Sequence, residues 1–326
     1  MLDALLRPLG LLALALPALA CAQTLDKFKQ SGTMTLAYRE SSIPFSYLDD
    51  KAQPTGFGYE ICEKIADRVK AATGRSDLKK QYQAVTSANR IPLLVNGTID
   101  IECGSTTNNS ERGKQVQFAI NYFYTGTRFL VKTGTNVNKL SDLAGKTVVS
   151  TTGTTNFQIL RKLNEDQKLG INLLGAKDHA ESALLVETGR AVAFGMDDIL
   201  LYGLRAAAQD PNSLAVVGEA IQVEPYAIMV RKDDPTFKKL VDDTLAGMMK
   251  SGEFEALYKK WFQSPIPPKG INLNAPIRLM PSFCSSLSFL RIWKLVVPVV
   301  ETTVLPARSA SLLTLVPVFT RKRVPV

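Results

Sequence analysis

The stretch Ile99–Lys114, I-D-I-E-C-G-S-T-T-N-N-S-E-R-G-K, runs a short apolar strand into a turn dense in hydroxyl and amide groups, then into a helix carrying Arg112. Such strand-to-helix junctions gather backbone N–H groups and side-chain donors in one place, which suits an anion. Arg112 adds a planar fork that matches a carboxylate. A second junction repeats the design. The strand Lys146–Ser150 feeds Thr151-Thr152-Gly153-Thr154-Thr155 before a helix through Leu160 and Leu163. It lacks the lysine and spacing of a nucleotide P-loop, which argues against phosphate transfer.

The remaining periodicity completes an α/β pattern. Thr33–Tyr38 alternates into a strand that ends at Arg39-Glu40-Ser41-Ser42. From Tyr59, Ile61, Ile65 and Val69 recur at helical spacing, and Cys62 beside that stripe faces the sheet, where Cys103 could meet it. Pro92 fits only the first turn of a helix, with Ser87 or Asn89 as its cap. Arg90 then lies at a helix N-terminus, a poor place for a cation, and a bound anion would relieve that conflict. Phe118–Lys132 reads as two extended runs. A strand at Ile171–Leu174, a helix over Ala180–Gly189 and a strand at Ala191–Met196 follow. Asp197 and Asp198 end that last strand, where acids commonly face a ligand crevice, and one of the two is expected to cap the next helix. His179 is the only histidine, and a lone histidine is more often structural than functional. Ala215–Val217 and Tyr226–Val230 are further strands; Asp234-Pro235 opens a helix through Met249, Ser251-Gly252 stops it, and Glu253–Trp261 is the last amphipathic helix.

Charge and cysteines narrow the function classes. The net charge of +9 is unevenly spread: seven of the 39 bases and one of the 30 acids lie in residues 277–326. The body is only mildly basic, so nucleic acid is not expected as a partner. Arg7, the apolar run Leu9–Leu19 and the small residues around Cys21 read as an export signal over residues 1–22, cut after Ala20 or Ala22. Cys21 leaves a lipidated N-terminus open, although Ala18 is a weak residue three places before such a cysteine. Export puts Cys62 and Cys103 in an oxidising space, so they form one disulfide or remain two buried thiols. No C-x-x-C or His/Cys cluster is present, and no metal or cofactor is expected. Residues 277–326 carry scattered prolines and bases without a sustained period, and are expected to be a disordered tail from an unrelated or out-of-frame C-terminus.

Taken in order, several motifs resemble one family over roughly Leu25 to Asn274: R-E-S-S-I-P-F-S-Y (39–47), G-F-G-Y-E-I (56–61), T-S-A-N-R-I-P-L-L (86–94) and E-C-G-S-T-T-N-N-S-E-R (102–112). G-T-T (153–155), A-K-D-H (176–179), G-R-A-V-A-F-G-M-D-D (189–198), R-K-D-D-P (231–235), K-K-W-F (259–262) and P-I-P-P-K (265–269) continue the match. The chain resembles the extracytoplasmic solute-binding proteins of amino-acid ABC importers, family 3, and within them the glutamate/aspartate-binding branch. Gly58 departs from the wider family, which usually has an acid there.

The resemblance implies a two-lobed type II periplasmic-binding-protein fold with a ligand cleft between the lobes. Lobe 1 would comprise residues 24–127 plus 225–275, and lobe 2 residues 128–224. It implies that Arg112, Thr107 and Ser105 hold the α-carboxylate, and that Asp197 or Asp198 receives the α-ammonium, with position 197 aligning better. Arg39, Arg90 and His179 would surround the side-chain carboxylate, with Ser87 and Thr155 donating hydrogen bonds. Every amino acid has an α-carboxylate, so selection would fall to Arg39 and Arg90 rather than Arg112. The implied partners are L-glutamate or L-aspartate and an inner-membrane ABC permease, the implied location is the periplasm, and the implied state is a monomer. An enzyme akin to cyclic-amino-acid dehydratases would need a positioned acid or base, and a sensor domain would need a membrane span and output region; the sequence favours neither.

Overall fold

The computed structural model describes residues 24–276. The export signal and the tail from residue 277 fall outside the described residues. The chain opens with α1 (Thr24–Ser31) and β1 (Thr33–Tyr38), then a small antiparallel ribbon of β2 (Ser41–Ser42), β3 (Ser46–Leu48) and β4 (Pro54–Thr55). Next come α2 (Phe57–Thr73), β5 (Lys79–Ala84), α3 (Arg90–Val95), β6 (Ile101–Glu102), α4 (Ser110–Gly113) and the long β7 (Val116–Lys132). β8 (Thr147–Thr151), α5 (Thr155–Asp166), β9 (Asn172–Ala176), α6 (His179–Glu187), β10 (Ala193–Asp197), α7 (Asp198–Ala207) and β11 (Leu214–Val217) follow. β12 (Val223–Arg231), α8 (Pro235–Ser251) and α9 (Glu253–Phe262) complete it.

Two sheets share one strand. The first runs β5-β1-β6-β12-β7 and the second β7-β10-β8-β9, with β11 also on β7. β7 reads as two extended runs in the sequence but is a single strand. Its first part pairs antiparallel with β12, from Val116 opposite Arg231 to Gly126 opposite Val223. From Thr127 it pairs instead with β10 and β11. The return crossing lies beside it: Thr127 N donates to Gln222 O at 3.2 Å, and Ile221 N to Thr127 O at 2.9 Å. Glycine is required at Gly126, where a Cβ would come within 2.7 Å of the Ala220 Cβ on the other crossing segment. Two antiparallel segments thus join two α/β lobes.

Packing anchors this hinge in the first lobe. The Phe45 ring meets Phe57, Phe123, Tyr226 and Phe262 edge-on, with centroids 4.9–6.2 Å apart. Phe123 belongs to β7 and Tyr226 to β12, so burial of these rings fixes both crossing strands against α2 and α9. The second lobe has its own core of Phe129, Leu143, Val148, Leu160 and Ala193.

Cys62 on α2 and Cys103 just after β6 form a disulfide, their Cα atoms 5.7 Å apart. The bond ties the helix to the turn of the opening motif. It also explains Gly58, because any Cβ there would run into the Cys103 carbonyl oxygen. An acidic side chain there has no room against the cross-linked turn. Replacing both cysteines by serine is expected to lower unfolding free energy by about 2–4 kcal/mol, since the bond closes a loop of some tens of residues. Urea denaturation measures this, and an unchanged midpoint would contradict it.

Candidate functional site

The parallel strands of both sheets aim their carboxyl ends at one cleft, where open α/β sheets place ligands. Arg39 follows β1, Ser87 and Arg90 follow β5, and Ser105 and Thr107 follow β6. From the second sheet, Thr155 follows β8, His179 follows β9 and Asp197 ends β10. Seven of the nine residues assigned from the sequence line the resulting cavity: Ser87, Arg90, Ser105, Thr107, Thr155, His179 and Asp197. Arg39 and Arg112 do not line it but bond to residues that do or that adjoin it. Arg39 Nη2 donates to Ser87 Oγ at 2.9 Å. Arg112 donates to Thr107 O at 2.9 Å and across the cleft to Gly153 O at 3.2 Å.

All three guanidinium groups are buried, with Arg39, Arg90 and Arg112 only 1%, 2% and 8% exposed. Arg39 Nη1, Arg90 Nε and Nη1, and Ser105 Oγ have no hydrogen-bond partner among the described residues. Such donors are costly to bury unless something negative meets them. The electrostatics register the cost. Burial first, and then the neighbouring Arg90, pushes the Arg39 and Arg112 guanidiniums down to about 9. Arg90 is lowered by the same desolvation, with Glu102 as the leading opposing charge.

The position of one proton follows from the hydrogen-bond chain behind His179. Ser182 Oγ donates to the Asp178 carbonyl at 2.8 Å, so it must accept from Thr151 Oγ1, 2.9 Å away. Thr151 has then used its proton and accepts from His179 Nδ1 at 2.8 Å. The other ring nitrogen, Nε2, lies 3.4 Å from Arg39 Nη2, and a guanidinium only donates. His179 is therefore neutral, protonated at Nδ1, with its Nε2 lone pair toward Arg39. Burial, then Arg39 and Arg90, hold its pKa well below the usual 6.5. In this arrangement it orients Arg39 across the cleft.

The acidic end is held as tightly. Asp197 Oδ1 accepts from Asn156 Nδ2 at 2.7 Å, and Oδ2 accepts from the Tyr226 hydroxyl. Asn156 also donates to Thr127 Oγ1 at 2.8 Å, so the residue after Thr155 locks the carboxylate to the hinge. Burial, then Glu224, pushes Asp197 up to about 7. Glu224 itself accepts from Thr155 Oγ1 at 2.8 Å, which leaves Thr155 to accept from Thr107, 3.3 Å away. Asp198 points elsewhere and accepts from Thr125 Oγ1 at 2.6 Å.

Two expectations about caps need correction. Asp197 occupies the N-cap of α7 but makes no cap bond, because both its oxygens are engaged with Asn156 and Tyr226. Neither Ser87 nor the Asn89 side chain caps α3. Asn89 Oδ1 instead accepts from Thr86 N at 2.7 Å, and Ser87 serves Arg39. Asn156, Glu224 and Tyr226 are not assigned to the site from the sequence, and Thr151 reads there only as the start of the Thr-rich turn; the position of Asn156 directly after that turn could have signalled it.

The family model for bacterial extracellular solute-binding proteins, family 3, matches residues 34–264. The chain belongs to this family. Family 3 relatives include an L-glutamate/L-aspartate-binding protein of Pseudomonas aeruginosa, 50% identical over 255 residues that cover 78% of this chain and 84% of the relative. A glutamate/aspartate import solute-binding protein of Escherichia coli is 48% identical over the same shares. Among solved structures, an ancestral arginine-binding protein bound to arginine superposes with a TM-score of 0.64 at 28% identity, covering 71% of this chain and 98% of that one. A solute receptor for L-cysteine of Neisseria gonorrhoeae gives 0.64 at 24% identity, covering 73% and 92%, and shares the fold. One two-lobed architecture therefore hosts different amino acids, and the ligand must be argued from the site.

The single histidine makes its state directly measurable. Nitrogen-15 NMR should show a neutral, Nδ1-protonated ring at pH 6, where an ordinary histidine is mostly charged. Because the folded pKa is depressed, stability from this group is complete above about pH 6.5 and declines as pH falls below it. An imidazolium at pH 6 in the folded protein would contradict the hydrogen-bond chain.

Proposed function

We propose that this chain is the periplasmic substrate-binding component of an ABC importer for acidic amino acids, taking L-glutamate or L-aspartate in its cleft and presenting it to an inner-membrane permease. The observation that carries this reading is the charge pattern of the cleft: three buried arginines, two of them, Arg39 and Arg90, with unpartnered donors, and an Asp197 held by Asn156 and Tyr226. A dicarboxylic amino acid has two negative groups and one positive, and matches that pattern group by group. The named ligands of the Pseudomonas aeruginosa and Escherichia coli relatives support it.

In this reading Arg112 and Ser105 take the α-carboxylate, Thr107 lines that end with its hydroxyl proton given to Thr155, and Asp197 takes the α-ammonium. Arg39, Arg90 and Ser87 serve the side-chain carboxylate, with His179 setting the angle of Arg39, while Thr155, whose hydroxyl proton goes to Glu224, lines the cleft. Lobe 1 comprises residues 24–127 and 225–275, and lobe 2 residues 128–224. The ligand favours the closed arrangement by the bonds it makes to both lobes at once. The role is binding and delivery, and no cofactor takes part.

Calorimetry with L-Glu, L-Asp, L-Gln and L-Arg tests the assignment. The two acids should bind far more tightly than the amide or the base. Arg112→Ala should weaken every ligand alike, by about ten- to a hundredfold, because each lost charge-assisted hydrogen bond is worth about 1.5–3 kcal/mol. Arg90→Ala should mainly erode the preference for acids. Tight binding of L-Gln or L-Arg without L-Glu would overturn the function, and the reverse mutant pattern would exchange the two ends of the ligand.

A further inference from the structure

Glu102 has no part in the reading above, yet it lies against the side-chain end of the cleft. It ends β6, opposite Ala37 of β1 and Met229 of β12, and is 0% exposed. Its Oε2 accepts from Thr106 Oγ1 at 2.6 Å, while Oε1 has no hydrogen-bond partner among the described residues. A carboxylate so buried is normally tied to a cation or removed. Here a cation is near without being bonded through its free donors. Glu102 Oε1 and Arg39 Cγ both lie within 3.3 Å of the point where a Cβ on Gly104 would stand. Glycine at 104 is what lets the acid and the arginine stem approach one backbone turn from two sides. Arg39 Nη1, Arg90 Nε and Arg90 Nη1 are meanwhile buried with no hydrogen-bond partner among the described residues.

The charges at this end can be counted. Arg39 and Arg90 contribute two positive charges and Glu102 one negative charge. His179 contributes none, because its Nε2 must accept from Arg39. Asp178, a further acid near Arg39, is partly solvated, and its carboxylate caps α6 by accepting from Glu181 N at 2.8 Å. We propose that Glu102 is a specificity-determining residue: a built-in counter-charge that sets the side-chain end of the cleft to a single net positive charge, which one ligand carboxylate balances and a neutral amide does not. It acts through its field on the two arginines. Without it the end would hold two like charges in a desolvated space, and with one arginine fewer it would hold none.

This inference rests on the acidic-amino-acid reading, and calorimetry on four proteins separates the two. The quantity read is the ratio of dissociation constants for L-glutamine and L-glutamate. Arg90→Gln makes the end neutral and should reduce that ratio at least tenfold. Adding Glu102→Gln to it restores the single positive charge and should recover most of the lost preference. Glu102→Gln alone should widen the ratio beyond wild type, and if its two uncompensated charges prevent folding, the charge-matched double variant still decides. A double variant with the ratio of Arg90→Gln alone, or less stable than Arg90→Gln in thermal unfolding, would overturn the role of Glu102. Wild-type protein that fails to bind L-glutamate would instead overturn the functional reading, and this inference with it.

Discussion

Burial of three guanidinium groups in one cleft is the constraint on which the rest of the structure depends. Removing an ion from water costs several kcal/mol unless an opposite charge and hydrogen bonds replace the solvent. This chain meets that cost only in part from its own residues. Ser87, the Thr107 and Gly153 carbonyls and the His179 lone pair each take one guanidinium N–H. Arg39 Nη1 and Arg90 Nε and Nη1 keep no partner among the described residues, and Arg90 lines a cavity with several hydroxyls and the Asp197 carboxylate. Such a site is poised for an anionic ligand that also carries an ammonium group.

The scaffold explains how these charges stay in place. Most site residues from the first sheet sit in or just after the turns that follow parallel strands, Arg112 lies on α4 beyond them, and the second sheet supplies Thr155, His179 and Asp197 at its own strand ends. The hinge takes part directly. Tyr226 packs by its ring into the Phe45 cluster and by its hydroxyl against Asp197, while Glu224, two residues before it, holds Thr155. One short piece of β12 therefore couples the first-lobe core, the crossing strands and the second-lobe end of the cleft.

What was legible in the sequence follows from what local physics encodes. Strand-to-turn-to-helix junctions are local, and both were legible as turns suited to an anion; that Ser105, Thr107 and Thr155 line one cavity is tertiary and entered only through the family resemblance. The edge strand Lys79–Ala84 was not legible, because K-K-Q-Y-Q-A is polar on both faces and alternates nothing. The unity of β7 was hidden for a different reason. At Gly126 it changes sheets, so its neighbours, and with them its burial pattern, change midway. Asn156, Tyr226 and Glu224 were invisible because their roles are tertiary: each is an ordinary residue of its element until the fold brings Asp197 or Thr155 beside it. The caps failed for a related reason. Asp197 and Ser87 have the right chemistry for a helix terminus, but partners distant in sequence engage them.

The account is tested most directly by a crystal structure of the protein with L-glutamate. It predicts the α-carboxylate within hydrogen-bond distance of Arg112, the ammonium on Asp197, and the side-chain carboxylate on the unpartnered donors of Arg39 and Arg90. A bound ligand that leaves those arginine donors unpaired, or that places its ammonium group among them, would contradict it.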